Sequence, residues 1–373
     1  MIPLNKPVIF ASADLQVDGS MIFSKYFPYS NLTLTFSARQ GLNIIYRKLF
    51  KERGKLVVAV SPLTCFEAIM PIIVNGHMVS FVDVDAWTFN MDESLIPPEA
   101  DVIQAIHLGG NPQNMDKITS IVERTNKILI EDCAQGFMSF YNNKPLGSFG
   151  DYSVFSLPKN IYSIAGGLLL SKDDIEINTG KEMGFFSTNY RLIKRKLESH
   201  LSAGISIANL FHRVLLLLKS EKLKELNNHL KLNNKALQTI NLQSAHINEM
   251  LELRAKNAQF LLNGFTNSSL VPQKSLPNVN NNYNRVYFRS LNKSAVEIIA
   301  QLRKKGVGAN HLAQSAYKYY QDDIFANVTF KDCAKRGDLP NYESLHNKIF
   351  CIPVSPALSI AELNHIILHL NKI

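Results

Sequence analysis

Tryptophan occurs once and cysteine four times among 373 residues. Cys65, Cys133, Cys333 and Cys351 are scattered, without CxxC spacing or adjacent histidine partners, which argues against a disulfide framework and against a metal site. They read as reduced, mostly buried thiols of a cytoplasmic protein. Low-complexity tracts and internal repeats are missing. The start, MIPLNKPVIFASADL, lacks a basic segment followed by an apolar run and a small-residue cleavage site, so it does not read as a signal peptide. A long apolar run is also missing. The most hydrophobic stretch, Leu201 to Ser220, is broken by His212 and Arg213, and neither side is long enough to span a bilayer. Two readings of it stay open, a buried or dimer-packing helix and a basic amphipathic surface that rests on a membrane. The net charge of +9 would attract nucleotide diphosphates, lipid head groups or nucleic acid alike. With no zinc-finger spacing and no interleaving of basic and aromatic residues, nucleic acid is not an expected partner.

What is present is enough apolar sequence, 46% hydrophobic against 19% charged, to bury a sizeable core, and the length predicts two domains. Short β-branched runs (Val57 to Ser61, Met78 to Asp85, Val102 to Leu108, Lys127 to Asp132) alternate with segments of helical spacing (Arg39 to Phe50, Phe66 to Asn75, Met115 to Thr125). That alternation predicts an α/β fold, a mostly parallel sheet with right-handed crossovers and helices on both faces. Thr188 to His246 reads as continuous helix, and Asn278 to Asn284 as a surface turn. The large domain is expected over residues 1–246. A smaller C-terminal domain, 247–373, carries the strand-like Arg285 to Leu291 and the helices Ser294 to Gly306 and Ile360 to Leu370.

The segment KILIEDCAQGFMSFYNNKPLGSFGDYSVFSLPKNIYSIAGGLLL, from Lys127 to Leu170, carries the chemistry. An apolar strand ends at Asp132. A Gly-punctuated hairpin follows, then a second strand, Tyr152 to Ser156, and then Lys159 before Gly166 and Gly167. A carboxylate and a lysine are thus delivered to one rim, at the carboxyl ends of strands, where open α/β sheets bind ligands. Pyridoxal phosphate chemistry requires this pair, a lysine for the imine link and an aspartate that keeps the pyridine nitrogen protonated.

EDCAQ, GSFGDYSVFS, KN and GG in this order resemble the cofactor segment of the DegT-type sugar aminotransferases, pyridoxal phosphate enzymes of the aspartate aminotransferase fold. SARQGL (Ser37 to Leu42) is similar to that family's phosphate loop. Ser61 to Asp85 resembles its PxxTFxAxxxAIxxxGxxPVFVDVD block, His107 to Asp116 its HLYGxPxDMD block and STNYRL (Ser187 to Leu192) its GYNYRL segment. The resemblance is strong over about residues 30 to 192 and loose from 250 on. It implies a type I transferase fold, with a three-layer large domain and a small α+β C-terminal domain. It implies Lys159 as the catalytic lysine, Asp132 on the ring nitrogen and Gln135 on the ring's hydroxyl side. Phosphate falls to the backbone at Ala38, Arg39 and Gln40, where helix-start amides favour an anion, with the Ser156 hydroxyl and the Arg39 guanidinium as further ligands. Asn189 and Arg191 would serve a neighbouring subunit's site, implying a homodimer with shared active sites.

Two departures stand out. The commoner family spacing puts the lysine five residues after the serine, and here Ser156 and Lys159 are three apart, which resembles a divergent branch. The ring-stacking aromatic falls on Cys65, so Phe66 or another residue covers the ring, or the stacking is lost. His107 is a candidate for the site floor or a satisfied structural histidine. The implied function is transfer of an amino group from an amino acid, glutamate above all, to a keto sugar nucleotide for surface polysaccharide or glycoconjugate synthesis in the cytoplasm. The alternatives are another pyridoxal phosphate reaction, such as dehydration, against which Lys159 argues because such relatives carry histidine there, and a non-catalytic binding partner.

Overall fold

The computed structural model describes residues 2–3, 6, 23–27, 31–176, 180–200, 230–311 and 334–373. The apolar run with His212 and Arg213, and Cys333, lie outside them. An eight-stranded sheet organises the molecule. In chain order its first half is β1 (Asn31–Thr35), helix α1 (Ala38–Arg53), β2 (Val57–Val60), α2 (Phe66–Val74), β3 (Met78–Phe81) and β4 (Val102–Ile106). There follow α3 (Met115–Thr125), β5 (Ile128–Asp132), the hairpin β6 (Phe140–Tyr141) and β7 (Lys144–Pro145), β8 (Tyr152–Ser156), α4 (Leu157–Asn160) and β9 (Gly167–Ser171). Strand order is β1-β9-β8-β5-β4-β2-β3, and β9 alone of these runs antiparallel to its neighbours. Successive strand residues point to opposite faces. Val58 and Val60 enter one core with Leu42, Ile45 and Ile69, while Ala59, Ile103 and Leu129 enter a second core on the other face. This is the expected three-layer α/β arrangement.

Helix α5 (Phe185–His200) is followed, in the described residues, by an irregular stretch from Leu230 to Asn233 and then by α6 (Asn234–Ser244) and α7 (Ile247–Gly264). The helix expected from Thr188 to His246 is therefore interrupted: Lys231 forms a bridge with Glu182, and the Asn233 side chain caps α6 through the Ala236 N–H. β10 (Leu270–Pro272), β11 (Val279–Asn280), β12 (Val286–Ser290), α8 (Ala295–Lys304), β13 (Asn310–His311), β14 (Ala334–Arg336), α9 (Pro340–Leu345), β15 (Ile349–Ile352) and α10 (Ile360–Leu370) complete the chain. A four-stranded antiparallel sheet, β10-β12-β15-β13, holds a third core with α8 and α10. Both of these helices begin with a capping box, Ser294 with Glu297 and Ser359 with Glu362.

The bodies expected on either side of residue 246 share elements. Ile247, Met250 and Leu251 at the start of α7 join the large-domain core, whereas Ala258 and Leu261 join the small-domain core. Strand β14 returns to pair in parallel with β3 at the edge of the large sheet. Among the described residues no helix is long and apolar enough to cross a membrane.

Candidate active site

Parallel pairing brings the site residues to one rim. Asp132 pairs with Ile106 on one side and Val154 on the other, so the ends of β4, β5 and β8 lie together. Asp132 closes β5 almost fully buried, with its Oδ1 accepting the Ala134 N–H at 3.1 Å. Burial raises its proton affinity above the ordinary carboxylate value, and the charge of Lys159 and the Ala134 N–H oppose that rise. Lys159 lies on α4, the single turn that follows β8, and is exposed. A buried carboxylate lifted by desolvation, with an accessible lysine in electrostatic reach, suits a cationic ring nitrogen against Asp132.

Across the rim, Thr35, Gly167 and Ser156 form one register row on β1, β9 and β8. Gly167 has to be glycine. A Cβ there would lie 2.5 Å from the Ser37 carbonyl carbon and 2.6 Å from the Ala38 nitrogen, so its absence lets β9 abut the start of α1. Ser37 caps that helix by accepting the Gln40 N–H at 3.2 Å, and no acidic residue stands in the first turn. The arrangement suits a phosphate, with helix-start amides at Ala38 and Arg39 and the Ser156 hydroxyl, which makes no cap bond to α4. Gln40, with its backbone N–H expected on the phosphate, has that N–H taken by Ser37 Oγ. Its Oε1 accepts the Phe36 N–H at 2.7 Å and its Nε2 donates to the Leu230 carbonyl at 3.1 Å, bracing the loop.

Gln135 reaches across to the neighbouring turn, its Oε1 accepting the Gly109 N–H at 2.7 Å. Cys65 lies within electrostatic reach of Lys159 and Asp132; burial pushes its thiol up to about 11 and Lys159 pulls it back. Phe66, next along, packs with Cys65 against the core under α1 and α2. The buried Tyr287 stands next to it. Its phenol is pushed well up, by burial first and then by the Cys351 thiol, and it lies within electrostatic reach of Cys65. Arg191 stacks its guanidinium 4.8 Å from the Phe36 ring centroid, beside the start of α1 in its own chain. Asn189, two residues earlier on α5, is partly buried.

His107 lies within electrostatic reach of Asp132. Fully buried, it accepts the Gln113 N–H on Nδ1 at 3.1 Å, which leaves the proton on Nε2, 3.5 Å from Glu131 Oε2. His107, Glu131 and Cys133 have ligand atoms within 4.8 Å of one another. The Glu131 carboxylate is already engaged by the N–H groups of Gly147, Phe149 and Gly150 at 2.9, 2.7 and 2.7 Å, and so fixes the loop that feeds β8.

The asparagine run at 278–284 keeps its expected place at the surface only in its first half, where Asn278 and Asn280 are exposed. Asn281, Asn282 and Asn284 are buried. Asn282 Nδ2 donates to the carbonyls of Gln135 and Phe137 at 2.9 and 2.6 Å, and Asn284 Nδ2 donates to the Lys159 carbonyl at 2.7 Å. Buried Arg254 holds the Asn282 carbonyl from α7 at 3.0 Å. Polar composition pointed to solvent because asparagine is mostly exposed; here its amides satisfy loop backbone that would otherwise be buried without partners.

A profile of the DegT/DnrJ/EryC1/StrS aminotransferase family matches residues 22–371. The chain belongs to this family. GDP-perosamine synthase of Escherichia coli O157:H7 is 35% identical over 122 residues, 31% of this chain and 34% of that protein. The chain thus spans about a third of the length of the curated relatives it matches first. The crystal structure of the aminotransferase TlmJ from Streptoalloteichus hindustanus superposes with a TM-score of 0.73 at 16% identity, covering 100% of this chain and 98% of that one. GDP-4-keto-6-deoxymannose-3-dehydratase, solved with a trapped PLP-glutamate geminal diamine, superposes with a TM-score of 0.71 at 19% identity over 94% of this chain and 91% of that one. At such identities the likeness is one of fold.

Proposed function

We propose that this family member is a pyridoxal phosphate-dependent aminotransferase that moves an amino group from glutamate to a keto sugar carried on a nucleotide, in the cytoplasm, for surface polysaccharide or glycoconjugate synthesis. One observation carries the reading: buried Asp132 and exposed Lys159 converge at the ends of β5 and β8, next to a helix start built for an anion. Two of the proteins named above are named for keto or amino sugars of GDP, and one of them was solved with a trapped PLP-glutamate geminal diamine. The positive net charge favours encounter with a nucleotide diphosphate.

Bound pyridoxal phosphate would supply an electron sink for a substrate carbanion. The chain does the rest. Asp132 would hold the ring nitrogen through a charge-assisted hydrogen bond. The Ala38 and Arg39 amides, the Arg39 guanidinium and the Ser156 hydroxyl would hold the phosphate, with Gln135 on the side of the ring hydroxyl. Lys159 would accept and return the proton of the substrate carbon at its side-chain amine. In a homodimer, Asn189 and Arg191 complete the neighbouring subunit's site.

The test is direct. Protein incubated with the cofactor and reduced with borohydride should carry the adduct on the Lys159 peptide by mass spectrometry, and glutamate with a keto sugar nucleotide should give 2-oxoglutarate. An unchanged adduct in Lys159→Ala would remove the lysine assignment. A clean adduct with no amino transfer from any donor would favour another reaction type.

A further inference from the structure

The turn that carries Lys159 is too short to hold itself. Helix α4 has four residues, too few for its own turn to satisfy all of its carbonyls. Ile161 N–H closes on the Leu157 carbonyl at 2.8 Å, and Asn160 Nδ2 donates to the Ser156 carbonyl at 2.9 Å and to the Ala134 carbonyl at 3.2 Å. The Lys159 carbonyl is met from 125 residues away, by Asn284 Nδ2 at 2.7 Å, and the same amide lies 3.4 Å from Asn160 Oδ1.

Asn284 is itself fixed. Its N–H donates to Asn282 Oδ1 at 2.8 Å, while Asn282 Nδ2 grips the Gln135 and Phe137 carbonyls and the Asn282 N–H donates to Ser139 Oγ at 3.0 Å. Between them Tyr283 is held at φ 49°, in the left-handed region that an aromatic side chain rarely adopts, with its N–H on Asn281 Oδ1 at 2.7 Å. A strained residue persists where its surroundings over-determine it. Arg254 secures the Asn282 carbonyl from α7. One buried asparagine strap therefore ties the loop after Asp132 to the turn of Lys159.

We infer that Asn284 is a positioning residue for the catalytic lysine, acting through the Lys159 backbone, with Asn282 holding the Asp132–Gln135 loop in the same frame. This rests on the aminotransferase reading of the site. A lysine reaches its partner atom through a long flexible stem, so the place of its backbone limits which positions the amine samples. Freeing the Lys159 carbonyl widens that range, without touching substrate or cofactor.

The experiment compares Asn284→Ala with Asn257→Ala, a control that removes a similar side-chain bond, Asn257 Nδ2 to the Ser355 carbonyl at 2.7 Å, in the small domain. Cofactor-free protein is followed by hydrogen exchange of the 157–161 peptide and by melting temperature. Reconstituted protein is followed by cofactor titration and by the rate at which borohydride fixes the cofactor on Lys159. Asn284→Ala should speed exchange of the peptide, weaken cofactor binding roughly tenfold, equivalent to 1.4 kcal/mol, and slow fixation. Asn257→Ala should shift only the melting temperature. If Asn284→Ala fails to fold, Asn284→Ser, whose hydroxyl is too short to reach the Lys159 carbonyl, serves in its place. Equal exchange, binding and fixation in the wild-type chain and the Asn284 variant would overturn the inference. Should the wild-type chain take no cofactor on Lys159, the functional reading fails, and the exchange arm still decides whether Asn284 holds the turn.

Discussion

Asp132 places a charge where water cannot reach it, and that makes it a liability to the empty fold. Its folded-state proton affinity is raised, chiefly by burial, above the ordinary value of 3.8. The stabilisation linked to that raised value is complete below about 3.8 and is lost as pH rises through the folded value, above which the ionised side chain weakens the cofactor-free chain. Asp132→Asn keeps the oxygen that accepts the Ala134 N–H and removes the charge. It should raise the melting temperature of the cofactor-free protein at pH 8 and give no gain at pH 4, while amino transfer falls on the order of 100-fold or more, as for other losses of an electrostatic partner. Calorimetry at the two pH values with single-turnover kinetics checks both halves; an unstabilised variant at pH 8 would mean that Asp132 is compensated within the fold. Asp132, Lys159 and Gln135 were legible in the sequence because strand ends and a fixed motif order carry them. Asn282, Asn284 and Tyr287 were not, because each acts from more than 100 residues away through contacts that no local spacing encodes, and Arg254 braces Asn282 across 28 residues.

At the level of elements, the α/β alternation was legible because each strand and helix carries its own period, and α3 and β8 end where the sequence pattern ends. Strand β14 left no such signal: three residues pair with β3 through backbone alone, and pairing partners far apart in sequence leave little local pattern. The join of β9 with α1 is the element contact on which the proposed phosphate binding depends. Gly167→Ala would drive a methyl into the backbone at Ser37 and Ala38, at 2.5 and 2.6 Å, where no flexible side chain can give way. Overpacking of this kind costs about 1–3 kcal/mol. The variant should melt several degrees lower and bind pyridoxal phosphate more weakly than it binds pyridoxal, relative to the parent, because the displaced helix start is the phosphate's ligand. Equal losses for the two compounds in a titration would show that the contact is structural only.

The whole molecule is where the proposed shared site belongs. Helix α5 leaves Phe185, Tyr190 and Ile193 exposed at 76%, 46% and 60%, on the same stretch as Asn189 and Arg191. Large apolar side chains grouped beside candidate site residues are a face that a second copy would cover, and two-fold pairing is the commonest way to do so. Arg191 already lies over Phe36 at the start of α1, so a partner seated on this face would approach the phosphate end of the site. Two crippled chains then test the sharing. Lys159→Ala lacks the lysine, and a variant with Asn189→Ala and Arg191→Ala lacks the reaching residues. In a mixed dimer, one site combines both defects and the other has neither. Random exchange gives half mixed dimers, each with one intact site of two, so activity should return to about a quarter of the parent's. Exchange demonstrated by mass without any recovered activity would place Asn189 and Arg191 in their own subunit's site, and a chain that remains monomeric at assay concentration would remove the shared site altogether.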